Sequence, residues 1–378
     1  MTFKFNSCSL AKICGLTLGV VERKTTIPVL SNILIEPTGA RSVRIVGTDL
    51  DVTLITEIEA ETTGSEAICL QGKRLHDILK TFEPEASFEL EKESNNWVKL
   101  RAGNYSSRLC GVARQEFPEI PQCDAPEAAR IEARVLSRLI EQTQYAITQE
   151  QSRFTLSGAK LVFEKETARM VSTDGHRLAL AETRINRSQK FSFDELVPKK
   201  ALGELLKVCR ENPNETISLK TDFNHIFFTA GKSVIITRKL TGQFPNYEMV
   251  IPRNHDKKFV CAAALLRDTL VRVRLTADER TKAVKFTVSR GELVLSAQSA
   301  DEGEAEEAIK IANSGADGFF GINAAYAQDA LDNLMSYLKT RENQNRAIEF
   351  KDENTQILIK PEDATDIAIT SIIMPMRC

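Results

Sequence analysis

Val46-Gly47-Thr48-Asp49-Leu50-Asp51-Val52 and Val171-Ser172-Thr173-Asp174-Gly175-His176-Arg177 carry the same Thr-Asp pair, 125 positions apart. Ser299-Ala300-Asp301 places a third aspartate 127 positions beyond Asp174. Phe117-Pro118 and Phe244-Pro245 recur at a spacing of 127, and Lys73 and Lys199, 126 apart, each open a short helical pattern. The order is kept and the period is about a third of the 378 residues. Solenoid repeats run at roughly 20 to 50 residues. So long a period reads as three copies of a whole domain, and architecture becomes the first clue to function.

The length suits two or three cores on a prior of roughly 100–200 residues per domain. Hydrophobic content of 42% and charged content of 27% are those of an ordinary globular chain, and a formal net charge of −2 announces no global nucleic-acid binder. No apolar run approaches the ~18 residues that span a bilayer. Met1-Thr-Phe-Lys-Phe-Asn6 alternates like a strand and lacks the apolar region of a signal peptide, so a cytoplasmic location and no membrane contact are expected. Cysteines 8, 14, 69, 110, 123, 209, 261 and 378 form no Cys-x-x-Cys pair, and small buried thiols are expected, with terminal Cys378 the one most open to solvent.

Two proline-bearing polar stretches, Glu119–Glu127 and Val250–Lys258, divide the chain in register with the repeat. The expected modules are 1–124, 125–252 and 253–378. Within each, a helical pattern comes first: Leu10, Ile13, Cys14 and Leu18; Leu136, Leu139, Ile140 and Ile147; Leu265, Leu266, Leu270 and Val273. Strands rich in alternating or β-branched residues follow, then a hairpin, of which Asp174-Gly175 is the strongest signal. A second helix and further strands close each unit. The fold class is α+β: two helices and about eight short strands per module, helices on one sheet face. Such modules leave strand edges able to pair with the next module.

The six expected helices, 9–24, 73–82, 134–149, 198–210, 262–274 and 324–339, hold 16 basic and 7 acidic residues, a net of +9 that leaves −11 elsewhere. Solvated helix faces would explain any one of them. Repeated in six elements, the partition suits a weak, sequence-independent field for phosphates. No zinc spacing, recognition helix or aromatic run offers base readout.

His76, His176, His225 and His255 have no metal-ligand spacing to one another or to cysteine. Asp174 and His176 could form an acid–base pair. The competing reading is a surface turn in which Asp174 bonds its own backbone. No nucleophile elbow, Walker loop or GxGxxG is present, so no enzyme activity, cofactor or metal is expected. The ending Ile372-Ile-Met-Pro-Met-Arg-Cys378 reads as a last core strand followed by a methionine tail, disordered by default but adaptable as a docking surface.

Thr173-Asp-Gly-His-Arg-Leu178, Gly242-Gln-Phe-Pro-Asn-Tyr247, Met374-Pro-Met-Arg377 and Thr26-Ile-Pro-Val-Leu-Ser-Asn-Ile-Leu34 resemble the family of bacterial DNA polymerase III β subunits, the sliding clamps. The resemblance runs along the whole chain. It implies three tandem DNA-clamp modules forming half of a six-module ring, a head-to-tail homodimer around duplex DNA with helices lining the hole. The implied function is that of a processivity factor that tethers the polymerase by topology. Implied partners are the DNA polymerase III catalytic subunit, the clamp-loader complex, and other polymerases and repair proteins bearing short clamp-binding peptides.

By the same resemblance, a peptide groove comprises Leu156, Thr173, Gly175, His176, Arg177, Leu178, Pro245, Val250, Ile372, Met374, Pro375, Met376 and Arg377, the apolar members accepting leucine or phenylalanine anchors. DNA-facing positions are Lys24, Lys73, Arg74, Glu150, Arg153, Phe154, Lys199 and Lys200. Leu109 and Leu275 match dimer contacts. The chain departs from the family pattern at Met249, where arginine is usual, at Phe154-Thr155, where an aromatic pair is usual, and at Glu150, where glutamine is usual. Ser107 and Thr276 replace bulkier apolar groups. Left open are a protein scaffold without DNA and a hydrolase using Asp174 and His176.

Overall fold

The computed structural model describes residues 1–378 apart from 23–25, 151, 186–190, 302 and 338–344. Among the described residues, six α-helices run Ser7–Thr17 (α1), Gly72–Leu79 (α2), Ala133–Thr143 (α3), Lys199–Glu211 (α4), Ala263–Val273 (α5) and Ala324–Tyr337 (α6). All strand pairs described are antiparallel, as in Ser42–Glu59 and Thr167–Arg184.

Local rules explain where the helices start and which face they bury. Asn6 caps α1 by accepting from Ser9 N at 3.2 Å, satisfying one of the first-turn donors. Leu10, Ile13, Cys14 and Thr17 then bury one stripe at i, i+3, i+4 and i+7. Asn323 Oδ1 accepts from Ala325 N at 2.9 Å, and α6 buries Ala327, Ala330, Leu331 and Leu334 at the same spacing.

The expected C-terminal ends of α1, α2 and α3 were too generous, while α4 and α5 end within one residue of expectation. Thr17 turns its hydroxyl back onto Ile13 O at 2.7 Å, and Gly19 is a poor helix former, so α1 stops before residue 18. Thr143 does the same to Leu139 O at 2.8 Å, and Gln144–Ala146 tightens into a 3-10 turn. The helices as built hold eleven basic and seven acidic residues, a net of +4 rather than +9. Lys80 and Arg274 fall just beyond helix ends, and Arg23, Lys24 and Lys339 lie outside the described residues. Much of the remainder is paired: Lys73 with Asp77 at 2.6 Å, Arg138 with Asp366 at 2.7 Å, Arg272 with Glu307 at 2.5 Å.

The chain divides into two compact units, Met1–Ser137 with Lys200–Lys239, and Arg138–Lys199 with Leu240–Cys378. These cut across the thirds of the repeat because sheets do. In the first unit a 13-stranded sheet joins Ser233–Arg238 of the middle third to Val52–Glu59 of the first, in register from Ser233↔Thr56 to Thr237↔Val52. In the second unit a nine-stranded sheet joins Arg177–Arg184 to Ala368–Ile373, Arg177 opposite Ile373. Strand edges of the middle third are thereby satisfied by the neighbouring thirds. A separate four-stranded sheet ends on Gly303–Lys310.

The repeat holds at the level of atoms. Asp49 Oδ1 accepts from Asp51 N and Val52 N at 3.0 and 2.6 Å; Asp174 Oδ1 accepts from His176 N and Arg177 N at 2.9 and 3.0 Å. Thr48 donates to Val52 O and Thr173 to Arg177 O. Leu50 and Gly175 occupy the same left-handed position, φ +80° and +89°, which glycine adopts without the steric cost leucine bears. Phe117 and Phe244 are each buried in the cluster behind their turn. Leu50 N and Gly175 N also donate to Thr48 Oγ1 and Thr173 Oγ1, each at 3.1 Å, and of the whole pattern the third copy shows among the described residues only the matching bond, Asp301 N to Ser299 Oγ at 3.4 Å.

Of the cysteines, Cys14, Cys69, Cys209 and Cys261 are buried, and burial pushes their thiols up to about 12. Cys8 and Cys110 are exposed along with Cys378, so the expectation of buried thiols holds for half of them.

Candidate partner groove and charged surface

An apolar cavity of about 100 Å³ opens in the second unit. Its walls are Leu156, Thr173, Gly175, Arg177, Leu178, Pro245, Tyr247, Val250, Ile372 and Met374. Sheet pairing sets Leu178 opposite both Thr173 and Ile372, so three wall residues meet across adjacent strands. Behind them Leu156, Val171, Leu178, Leu196, Phe244, Tyr247, Leu358 and Ile372 form one buried cluster. The cavity can take an aliphatic or aromatic side chain and little that is polar.

Nine of the thirteen expected groove residues line this cavity. His176, Pro375, Met376 and Arg377 do not, although His176 O accepts from Met374 N at 2.9 Å and so fixes the wall beside it. Tyr247 lines the cavity without having been expected, though it closes the Gly242–Tyr247 motif. Its hydroxyl accepts from Arg169 at 3.1 Å.

The tail is ordered, against the default for a chain end. Met374 N reaches His176 O and Met376 N reaches Gly321 O, each at 2.9 Å. Met374, Pro375 and Met376 are half-buried; Arg377 and Cys378 are exposed.

Arg177 is not free at the rim. Nε donates to Asp174 Oδ2 at 3.0 Å, one terminal nitrogen to Asp329 Oδ2 at 2.5 Å, and the other to Tyr145 O at 2.8 Å. Its guanidinium lies 4.6 Å from the centre of the Tyr326 ring. Burial opposes its charge, but the Asp329 and Asp174 carboxylates outweigh burial and raise its pKa. Burial also pushes the neighbouring Tyr145 phenol up to about 12 while Ser371 shares its hydrogen bond at 2.7 Å. Asp174 spends Oδ1 on its own backbone and Oδ2 on Arg177, while the His176 ring stacks on Tyr326 at 6.3 Å. The turn reading therefore describes this hairpin, not an Asp–His couple.

The charged positions differ in availability. Lys24 lies outside the described residues. Lys73 is bound to Asp77, and Arg74 beside it is exposed. Arg153 bonds Glu150 at 2.8 Å and Asp174 O at 2.9 Å, which holds the loop bearing Phe154, 70% exposed. Lys199 is half-buried; burial, then repulsion from Arg177, lowers its pKa. Lys200 bonds Val20 O at 2.9 Å and pairs with Asp49. Of the apolar seam candidates, Leu275 is 72% exposed, but Leu109 is only 7% exposed and belongs to the core of the first unit. Met249, at the departure noted above, is 82% exposed.

Sequence models of the DNA polymerase III beta subunit match end to end: the N-terminal domain at residues 1–121, the central domain at 130–246 and the C-terminal domain at 248–377. The chain belongs to the DNA polymerase III beta subunit family. It is similar to the beta sliding clamp of Pseudomonas putida, 30% identical over 378 residues and the whole of both chains, and to that of Escherichia coli K12, 26% over 360 residues and 95% of each. Among solved structures, a sliding clamp (DNA polymerase III subunit beta) from Pseudomonas aeruginosa bound to griselimycin superposes with a TM-score of 0.91 at 28% identity, covering 100% of each chain. No described helix is long and apolar enough to cross a membrane.

Proposed function

We infer that this chain is a DNA sliding clamp and processivity factor. Two copies close head to tail into a ring around duplex DNA, and the ring tethers the DNA polymerase III catalytic subunit to its template. The observation that carries this reading is the likeness to sliding clamps over the full length of both chains. The repeat units are the three modules 1–124, 125–252 and 253–378. Two half-paired strands support closure. Tyr105–Val112 pairs along Tyr105–Cys110 with one neighbour, but meets its other neighbour only at Gly111 and Val112. Gly303–Lys310 is the end strand of its sheet. Opposed edges of this kind pair between copies.

The apolar cavity supports docking of short peptides with leucine or phenylalanine anchors, carried by the polymerase, the clamp loader and other polymerases and repair proteins. Met249 leaves the adjoining edge apolar. The proposed DNA-facing residues are Lys24, Lys73, Arg74, Glu150, Arg153, Phe154, Lys199 and Lys200, of which Arg74 and Phe154 are open to solvent. A net helical charge of only +4 suits sliding, since strong phosphate contacts would hold the ring still. The protein acts in the cytoplasm and catalyses nothing itself; the turn that occupies both oxygens of Asp174 supports that reading.

The test is retention. After loading onto nicked circular DNA, the protein stays bound through gel filtration in high salt and is lost when the circle is linearised. Equal retention on both forms overturns the topological mechanism, and no retention on either favours a scaffold that does not hold DNA.

A further inference from the structure

Asp329 lies on α6, outside the walls of the cavity, and is half exposed. Its carboxylate nevertheless takes one arm of the Arg177 guanidinium at 2.5 Å. The other donors of that guanidinium hold Asp174 Oδ2 and Tyr145 O, and Tyr326, three residues before Asp329, lies 4.6 Å from it. The same Tyr326 ring stacks on His176. His176 O in turn accepts Met374 N, so two sides of the cavity, Gly175 and Met374, are tied to one charged knot.

We propose that Asp329 is a positioning residue for the partner groove: acting through Arg177, it holds the Gly175–His176 turn, with Met374 bonded to it, in the position an apolar anchor requires. Asp329 touches no ligand. This inference rests on the peptide-docking reading of the cavity.

A planar guanidinium with three partners in fixed directions has one orientation. Removing the Asp329 carboxylate leaves the guanidinium held by Asp174 Oδ2 and Tyr145 O alone, so the turn it backs, and Met374 bonded to that turn through His176 O, are held less tightly. Asp174 alone cannot prevent this, because it sits on the same turn as Arg177. Asp329, 152 positions away on another element, is the charged one of two external references, the other being Tyr145 O. The cost appears on binding, when the anchor must order walls that are already ordered in the native protein.

The probe is a fluorescein-labelled decapeptide with a Leu-Phe pair, titrated against the full chain by fluorescence anisotropy. Native protein binds, and Leu178→Asp does not; absence of native binding overturns the docking reading itself. Given native binding, Asp329→Asn weakens affinity about tenfold, within the range for mutations that act through a coupled network. Asp329→Glu restores most of it. In an Arg177→Met background, Asp329→Asn has no further effect, because the coupling runs through that side chain. Tyr326→Leu supplies a second route to the same loosening if Asp329→Asn lowers the melting temperature. Native affinity in both Asp329→Asn and Tyr326→Leu overturns the proposal, as does an undiminished effect of Asp329→Asn without Arg177.

Discussion

Gly321 lacks a side chain where the chain end passes over it. A Cβ there would meet the Cys378 sulfur and lie 2.5 Å from Met376 O, whose own amide bonds Gly321 O at 2.9 Å. The exposed Cys378 side chain can turn aside, but Met376 O is backbone and cannot give way without moving the tail. Gly321→Ala is therefore expected to leave the sheet intact and expel Met376–Cys378. Amide exchange at Met376 should quicken at least tenfold, as for a bond lost to local opening, while core strands keep native protection. Unchanged exchange at Met376 would show that the tail accommodates the methyl. Nothing in the sequence marks this glycine, since the atoms that exclude a side chain lie more than fifty positions away. Asp174, by contrast, was legible: Asx turns are local, and the three residues after it state the hydrogen bonds it makes.

At the scale of elements, all six helices were found, and most of the apolar stripe expected in α1, α3 and α5 is buried, though Leu265 is 44% exposed and Leu18 and Ile147 lie past the helix ends. The ends of α4 and α5 fall within one residue of expectation, but α1, α2 and α3 stop short at Thr17, Leu79 and Thr143, because periodicity persists into the 3-10 turns and bends that follow a helix and does not mark its last hydrogen bond. The cap at Asn6 gives a direct check. Asn6→Ala removes the acceptor for Ser9 N and should destabilise the protein by about 1 kcal/mol. The readout is the urea midpoint at constant m-value, and Asn6→Ser, which keeps a capping oxygen without setting a second carboxylate against Glu85, should recover most of the loss. A shift of zero would mean that solvent satisfies that donor equally well. Element-level charge counting was the weaker guide, since the +9 expected falls to +4 once the true ends are known, and ion pairs with neighbours occupy several of the remaining cations.

At the scale of the whole molecule, the proposed ring makes a demand on one exposed leucine. Leu275 presents 72% of its surface to solvent in the single chain, whereas Leu109 is already spent on its own core. Leu275 is thus the better seam candidate, and Leu275→Asp should shift sedimentation from dimer to monomer while leaving the melting of the monomer unchanged. A dimer of native stability in that variant would move the seam elsewhere. The sequence by itself determined the threefold repeat, the α+β class, most of the helical stripes and the Asp174 turn, because each is written within a few residues or at one fixed period. It also named most of the cavity, through the resemblance of its motifs. Only the tertiary structure decided that strands of the middle third complete sheets of both neighbours, that the tail is pinned at Gly321, and that Arg177 faces Asp329 and Tyr326. Those are pairings between distant segments, and their partners are chosen by sheet register and packing, which no local pattern encodes.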